Sequence, residues 1–398
     1  MPLSNRVNNI NISPTSKVFT KTKEMITQGF DVINLSVGEP DFPTPANIKE
    51  AAKRALDNNF TRYTLNNGIV ELRTAIADKL RKQNGLDYSP DNIIVSTGAK
   101  QSLYNAIQSM VNDNDEVIIP GPYYVSYPDM VTLANGRCIF LPTDEKSQFN
   151  ITKEQLEKAI TPNTKILILS YPTNPTGASY ARKELEAIAE VVEKHNLYVI
   201  CDDIYENFIY DNNEFVPFAS VNKSIKERTV VVNGFSKSYS MTGWRIGYAA
   251  GPAEIIKSMN KVQSHSTSNA SSISQAAAVE ALIGQQNSIF EMRDEFERRR
   301  NFIYEQICSN AGITCFKPKG AFYLFPNIKY YLGKSAAGIN KIENSIDLSM
   351  YLLNEAKVAT VPGSAFGAEG YLRISFASSM YSLKEGAVRI KEALGRLG

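Results

Sequence analysis

TVVVNGFSKSYSMTGWRIGY, residues 229–248, begins with a β-branched apolar run, ends in a second apolar run, and carries Ser236, Lys237 and Arg245 between them. Valine-rich runs of this length fit a strand buried on both faces. The polar segment then sits beyond the strand's carboxyl end, where loops of an open parallel sheet converge and helix N-termini offer free N–H groups. Working outward, similar runs lie at Ile93–Ser96, Glu116–Ile119, Cys138–Leu141, Lys165–Leu169, Tyr198–Cys201 and Ile246–Ala250. Most are separated by helical patterns, so the expectation is an α/β fold with a mostly parallel seven-stranded sheet covered on both faces.

Helical periodicity is clear from Gly68 to Gly85, where Val70, Leu72, Ile76 and Leu80 form one apolar side, and again from about Asn287 to Asn310. Beyond that helix the pattern turns mixed. Short strands are expected around Gly320–Phe325, Val358–Val361 and Tyr371–Phe376, and helices near Ser345–Lys357 and Ser382–Leu397. A domain change is therefore expected near residue 290, with the long helix as a bridge. A chain of 398 residues exceeds what one core usually supports.

Composition narrows the function. A net charge of +2 gives no sustained basic field, which argues against nucleic acid or an anionic membrane as partner. Cys138, Cys201, Cys308 and Cys315 lack CxxC spacing, and His195 and His265 are the only histidines, so a metal site is not expected. The first residues, MPLSNRVNNINISPTSK, carry no apolar run of the signal-peptide kind, and no stretch approaches about 18 apolar residues. The expectation is a cytoplasmic protein acting on small molecules.

Four strand ends carry polar groups. Lys237 near an apolar strand end can lose its proton at neutral pH, because desolvation and a nearby cation disfavour its charge, and a neutral amine condenses with an aldehyde. Ser236 and Arg245 suit a phosphate on that aldehyde. The plainer reading is a solvated lysine with a structural arginine. Asp202 and Tyr205 could hold a pyridine nitrogen and a ring oxygen, whereas aspartates at strand ends more often cap helices, a role expected here for Asp203. Gly98 and Ala99 open a helix and could cradle an anion or simply pack; Asn174 reads as part of a tight loop. Arg373, inside the apolar strand YLRISF, needs an acid that its own strand does not offer, and a substrate carboxylate would serve as well as a surface acid.

Taken in order, SVGEPDFPTP (36–45), YTLNNGIVELR (63–73), GAKQSLYNAI (98–107), PGPYYVSYPDM (120–130), YPTNPTG (171–177), DDIYE (202–206), SKSYSMTGWRIGY (236–248), PGSAFG (362–367) and YLRISFA (371–377) resemble the fold-type I pyridoxal-phosphate enzymes. Specifically they are similar to the class I aminotransferases in their bacterial-type aspartate aminotransferase branch. The resemblance covers nearly the whole chain. It implies a large domain at 46–290 that binds pyridoxal 5'-phosphate, and a smaller α+β domain from both chain ends, 1–45 and 291–398.

The resemblance further implies Lys237 as the Schiff-base lysine and proton carrier, Asp202 as partner of the pyridine nitrogen, and Tyr205 and Asn174 as ligands of the ring oxygen. Gly98, Ala99, Lys100, Ser236 and Arg245 would form the phosphate cup. Tyr63 would reach the phosphate of a neighbouring subunit, which makes a homodimer the working unit. Tyr124 would stack on the cofactor, where many relatives carry tryptophan, and Arg373, Asn174 and the backbone at Gly38 would clamp the substrate's α-carboxylate.

The implied reaction is ping-pong transfer of an α-amino group between an amino acid, L-aspartate by first choice, and 2-oxoglutarate. Aromatic or prephenate transamination and a carbon–sulfur lyase on the same fold are the alternatives, since fold does not fix reaction. A cofactor-binding regulator would need an appended DNA-binding module, for which the match leaves no room. One departure concerns the distal carboxylate. Animal-type relatives grip it with a partner-subunit arginine, and the matching position within QSHSTSN is Ser264; Lys17, Lys100, or polar groups near Thr15 and Ser16 are the expected substitutes.

Overall fold

The computed structural model describes residues 4–10, 15–336 and 341–398, the side chains of Thr15, Ser16 and Lys17 excepted. After a two-residue strand β1 (Ile33–Asn34), seven strands follow: β2 (Ile93–Ser96), β3 (Glu116–Gly121), β4 (Arg137–Pro142), β5 (Thr164–Ser170), β6 (Tyr198–Asp202), β7 (Thr229–Gly234) and β8 (Gly247–Ala250). They form one sheet in the order β2-β8-β7-β6-β5-β3-β4. All seven expected runs are in it. All neighbours are parallel except β8, which runs antiparallel to both β2 and β7.

Burial on both faces explains the valine and isoleucine runs. Val230 and Val232 enter one core with Ile94, Val117 and Ile200, while Val231 points into another with Ile93, Val95 and Tyr248. All three valines are 1% exposed or less. Each such side chain stabilises the fold by about 1.5–3 kcal/mol relative to exposure. With no polar face to spare, chemistry is left to the strand ends.

The reversal at β8 has a local cause. Gly234 pairs with Gly247, so residues 235–246 leave the sheet and return to the same end of it. A Cβ at Gly247 would lie 2.4 Å from the backbone N of Ala99, so only glycine lets β8 pass against the start of the helix Ala99–Met110.

The remaining strands are short: β9 (Tyr323–Leu324), β10 (Val358–Ala359), β11 (Val361–Pro362) and β12 (Leu372–Ser375). β10 pairs in parallel with β1, and β11-β12-β9 form an antiparallel trio. The expected run at Val358–Val361 is thus divided at Thr360 between two sheets, and only two residues of Gly320–Phe325 are strand. The long helix is Asn287–Cys308. Its Ile289 packs into the core that holds Ile93 and Val95, and Met292, Phe296, Ile303 and Ile307 pack into the core of the short sheets. Among the described residues no helix is long and apolar enough to cross a membrane.

Candidate active site

A cavity of ≈ 500 Å³ opens at the carboxyl ends of the parallel strands. Its lining includes Gly38, Ala99, Lys100, Tyr124, Asn174, Asp202, Tyr205, Ser236, Lys237, Arg245 and Arg373. Nearly every residue singled out in the sequence is thereby brought together. Gly98 stands behind the wall. Its φ of +87° belongs to the left-handed region, and a Cβ there would meet the Arg245 guanidinium at 2.6 Å. Tyr63 lies outside, 93% exposed on the surface. Ser264 is also outside, at the last turn of the helix Ala253–Ser264, its hydroxyl donating to Lys261 O at 2.8 Å.

Lys237 follows β7 and donates to the carbonyl of Gly38. Burial of its amine, opposed by Glu39 and Asp202 and reinforced by Arg373 and Arg245, lowers its pKa to about 8. A useful fraction of free amine is therefore present near neutrality. Arg245 lies eight residues on, with φ +52° for a non-glycine residue and its Nη1 donating to Thr242 O at 2.9 Å. Such backbone strain costs about 1–3 kcal/mol.

Asp202 ends β6 and accepts from the Tyr127 hydroxyl at 2.7 Å. Burial pushes its carboxyl up, against the pull of Tyr127, the Ile204 N–H and Lys237. A buried carboxylate of this kind wants a cation. Asp203 does not cap a helix, contrary to expectation. It is 1% exposed, neither carboxylate oxygen has a hydrogen-bond partner among the described residues, and burial with Glu206 and Asp202 nearby pushes its pKa well up. The backbone after β6 goes into turns rather than a helix, which leaves no N-terminus to cap.

Arg373 is 8% exposed on β12. Its Nη1 donates to Asn174 Oδ1 at 2.9 Å and its Nη2 to Ser36 O at 2.7 Å, while Nε is buried without a partner among the described residues. No carboxylate is paired with it among the described ion pairs. Of the proposed distal cations, Lys100 lines the cavity with its Nζ 5.5 Å from the Tyr124 ring centre; the side chains of Thr15, Ser16 and Lys17 lie outside the described residues. Sequence reasoning missed Tyr127, Ser170, Glu39 and Tyr323, which also line the cavity.

The family model for aminotransferase class I and II matches residues 31–390. The chain belongs to the class I and II aminotransferases. This aminotransferase is 47% identical to the aspartate/prephenate aminotransferase of Cereibacter sphaeroides, over 98% of each chain. It superposes on the solved aspartate aminotransferase of Rhizobium meliloti with a TM-score of 0.97, 43% identity and 100% of both chains covered. A Thermus thermophilus aspartate aminotransferase solved with maleate gives a TM-score of 0.92 at 39% identity, covering 99% of this chain and 100% of that one. The fold is fold-type I, and the enzyme is a pyridoxal-phosphate-dependent aminotransferase.

The cavity fits that cofactor. Ala99 and Lys100 open the helix Ala99–Met110, where N–H groups have no intrahelical partner, and both line the cavity with Ser236 and Arg245, which suits an anion. Among the described residues Asp202 forms no ion pair, the Lys237 amine is depressed, and the unpartnered Nε of Arg373 awaits an acceptor.

Proposed function

We propose that this aminotransferase moves the α-amino group of L-aspartate to 2-oxoglutarate, with the residue roles assigned below. The observation that carries the reading is the juxtaposition, in one cavity, of an amine lowered to about 8 with a buried arginine that no carboxylate among the described residues pairs. Ser236, Arg245 and the N–H groups of Ala99 and Lys100 would hold the phosphate, with Gly98 giving Arg245 room. Asp202, braced by Tyr127, would hold the ring nitrogen, Tyr205 and Asn174 the ring oxygen, and Tyr124 would stack on the ring. Bound pyridoxal phosphate supplies an aldehyde that takes up the amino group and a ring that withdraws electrons from the α-carbon.

Arg373 and Asn174, with the Gly38 backbone, hold the α-carboxylate, so the α-hydrogen is directed at Lys237. The freed Lys237 amine removes that proton and later returns one, which its lowered pKa permits in both directions. Release of the 2-oxo acid before the second substrate enters makes the kinetics ping-pong.

Acidic substrates are supported by the names of the relatives and by Lys100, a cation at the cavity wall able to meet a distal carboxylate. A second reading, prephenate or aromatic substrates, is supported by the name of the Cereibacter relative and by Phe19, Leu103 and Tyr124 in the lining. A panel of amino donors against 2-oxoglutarate separates them: aspartate inert beside a reactive aromatic donor moves the choice to the second.

We further assign the working unit as a homodimer in the cytoplasm, with a large domain at 46–290 and a small one at 1–45 and 291–398. Phe60, Tyr63, Leu65 and Val70 form an exposed apolar stretch suited to a second copy. Protein purified with pyridoxal phosphate is expected to be yellow, and borohydride to add the cofactor's mass to the peptide holding Lys237. A colourless protein with that peptide unaltered overturns the assignment.

A further inference from the structure

Tyr323 has no place in the scheme above, yet it touches both halves of the site. It lies on β9 opposite Ser375 of β12, two residues along from Arg373 on the same face. It is fully buried and lines the cavity. Its ring centre stands 4.5 Å from the Arg373 guanidinium carbon, and its hydroxyl 2.8 Å from the hydroxyl of Tyr205. A Cβ at Gly38 would approach that hydroxyl to 3.1 Å, so the backbone at 38 closes the space on its other side.

Two phenols that share one hydrogen bond hold two protons between them. Burial pushes both pKa values up, so both stay protonated. One O–H fills the gap between the oxygens and the other is left over. If Tyr323 donates, the O–H of Tyr205 is free for an acceptor in the cavity, and accepting a bond makes it a better donor.

We propose that Tyr323 is a positioning residue that joins the two ends of the site, its hydroxyl directing and strengthening the Tyr205 donor while its ring holds the Arg373 guanidinium in plane. The inference rests on the cofactor reading given above. Ring and hydroxyl act on different observables. The hydroxyl acts through Tyr205 on the cofactor's ring oxygen, where a good donor stabilises negative charge and eases loss of the proton that governs the holoenzyme's colour. The ring acts through Arg373 on substrate affinity.

The test compares wild-type holoenzyme with Tyr323→Phe and Tyr323→Leu, reading the pH titration of the bound cofactor's absorption and the KM and kcat for aspartate. Tyr323→Phe removes one oxygen and leaves the packing. Its titration midpoint is expected to rise by about half a pH unit, the worth of one net hydrogen bond, with KM changed less than about twofold. Tyr323→Leu is expected to show the same rise and a KM about tenfold higher, as loss of a desolvated cation–π contact implies, with kcat less affected. An unmoved midpoint in Tyr323→Phe, or an unmoved KM in Tyr323→Leu, overturns the proposal. A wild-type protein that takes up no cofactor overturns instead the reading on which it rests. Should leucine lower stability, the phenylalanine titration alone still decides.

Discussion

Arg300 and Arg373 are both hidden from solvent, yet their guanidinium groups are satisfied in opposite ways. Arg300, on the helix Asn287–Cys308, is 0% exposed and forms two 2.7 Å bonds to the carboxylate of Asp211, a third bond to Pro318 O, and a face contact with Tyr210. Asp211 is correspondingly held below the usual carboxylate range by Arg300. Arg373 has a side-chain amide, one carbonyl and an orphaned Nε. The first charge is neutralised inside the fold. The second is kept short of a counter-ion at a cost to stability, because burying an incompletely paired charge is unfavourable. Arginine burial alone therefore says nothing of function; what distinguishes the site is an arginine that no carboxylate among the described residues pairs.

That contrast is broken most directly by Arg373→Ala. Two charge-assisted bonds to a carboxylate, each worth about 1.5–3 kcal/mol, imply a fall in kcat/KM of about 10²- to 10⁴-fold for every amino donor, with little change in Tm. Steady-state kinetics beside a thermal melt tests both parts, and an unchanged kcat/KM removes Arg373 from the clamp. Arg300→Met should do the reverse. Because Asp211 keeps contact with water, the loss is set at about 2–3 kcal/mol, below the usual figure for breaking a buried pair. A Tm lowered by several degrees with kcat/KM within about twofold of wild type is expected; unchanged stability would make the two arginines alike.

The comparison is sharpened by pH. With the Lys237 amine at about 8, capture of pyridoxal phosphate by the cofactor-free protein should quicken about tenfold per pH unit below that value, as the neutral amine grows, and level off above it. Stopped-flow absorbance measures this, and a rate still climbing steeply at pH 9 would place the amine's pKa higher. Smallest is Lys100→Gln. Lys100 is exposed to water, so its contact with a distal carboxylate is worth about 1 kcal/mol, roughly a fivefold loss of kcat/KM for aspartate and none for an aromatic donor. Equal losses for both donors would show that Lys100 does not read the distal group.

Much of the site could be seen in the chain because it lies in short segments directly after strands. Thr97–Lys100, Asp202–Tyr205 and Ser236–Arg245 each follow a recognisable apolar run, so position along the strand already implied position at the sheet's end. Tyr127 and Tyr323 escaped notice for a physical reason. A phenol among apolar neighbours has the same sequence signature whether it packs or donates, and only its partner 75 or 118 residues away tells which. Asp203 was misread because the rule for aspartates after strands presumes a following helix, and here the chain turns instead. The antiparallel direction of β8 was equally invisible, since side-chain composition records burial and not strand sense.

The reversal at β8 has one more consequence. Lys237 and Arg245 belong to a single twelve-residue excursion whose ends are pinned together by the Gly234–Gly247 pair. The spacing of the two backbone positions that carry amine and guanidinium is therefore gauged by one closed span. Lengthening that span by a residue would mis-set the gauge even with every contacting side chain retained.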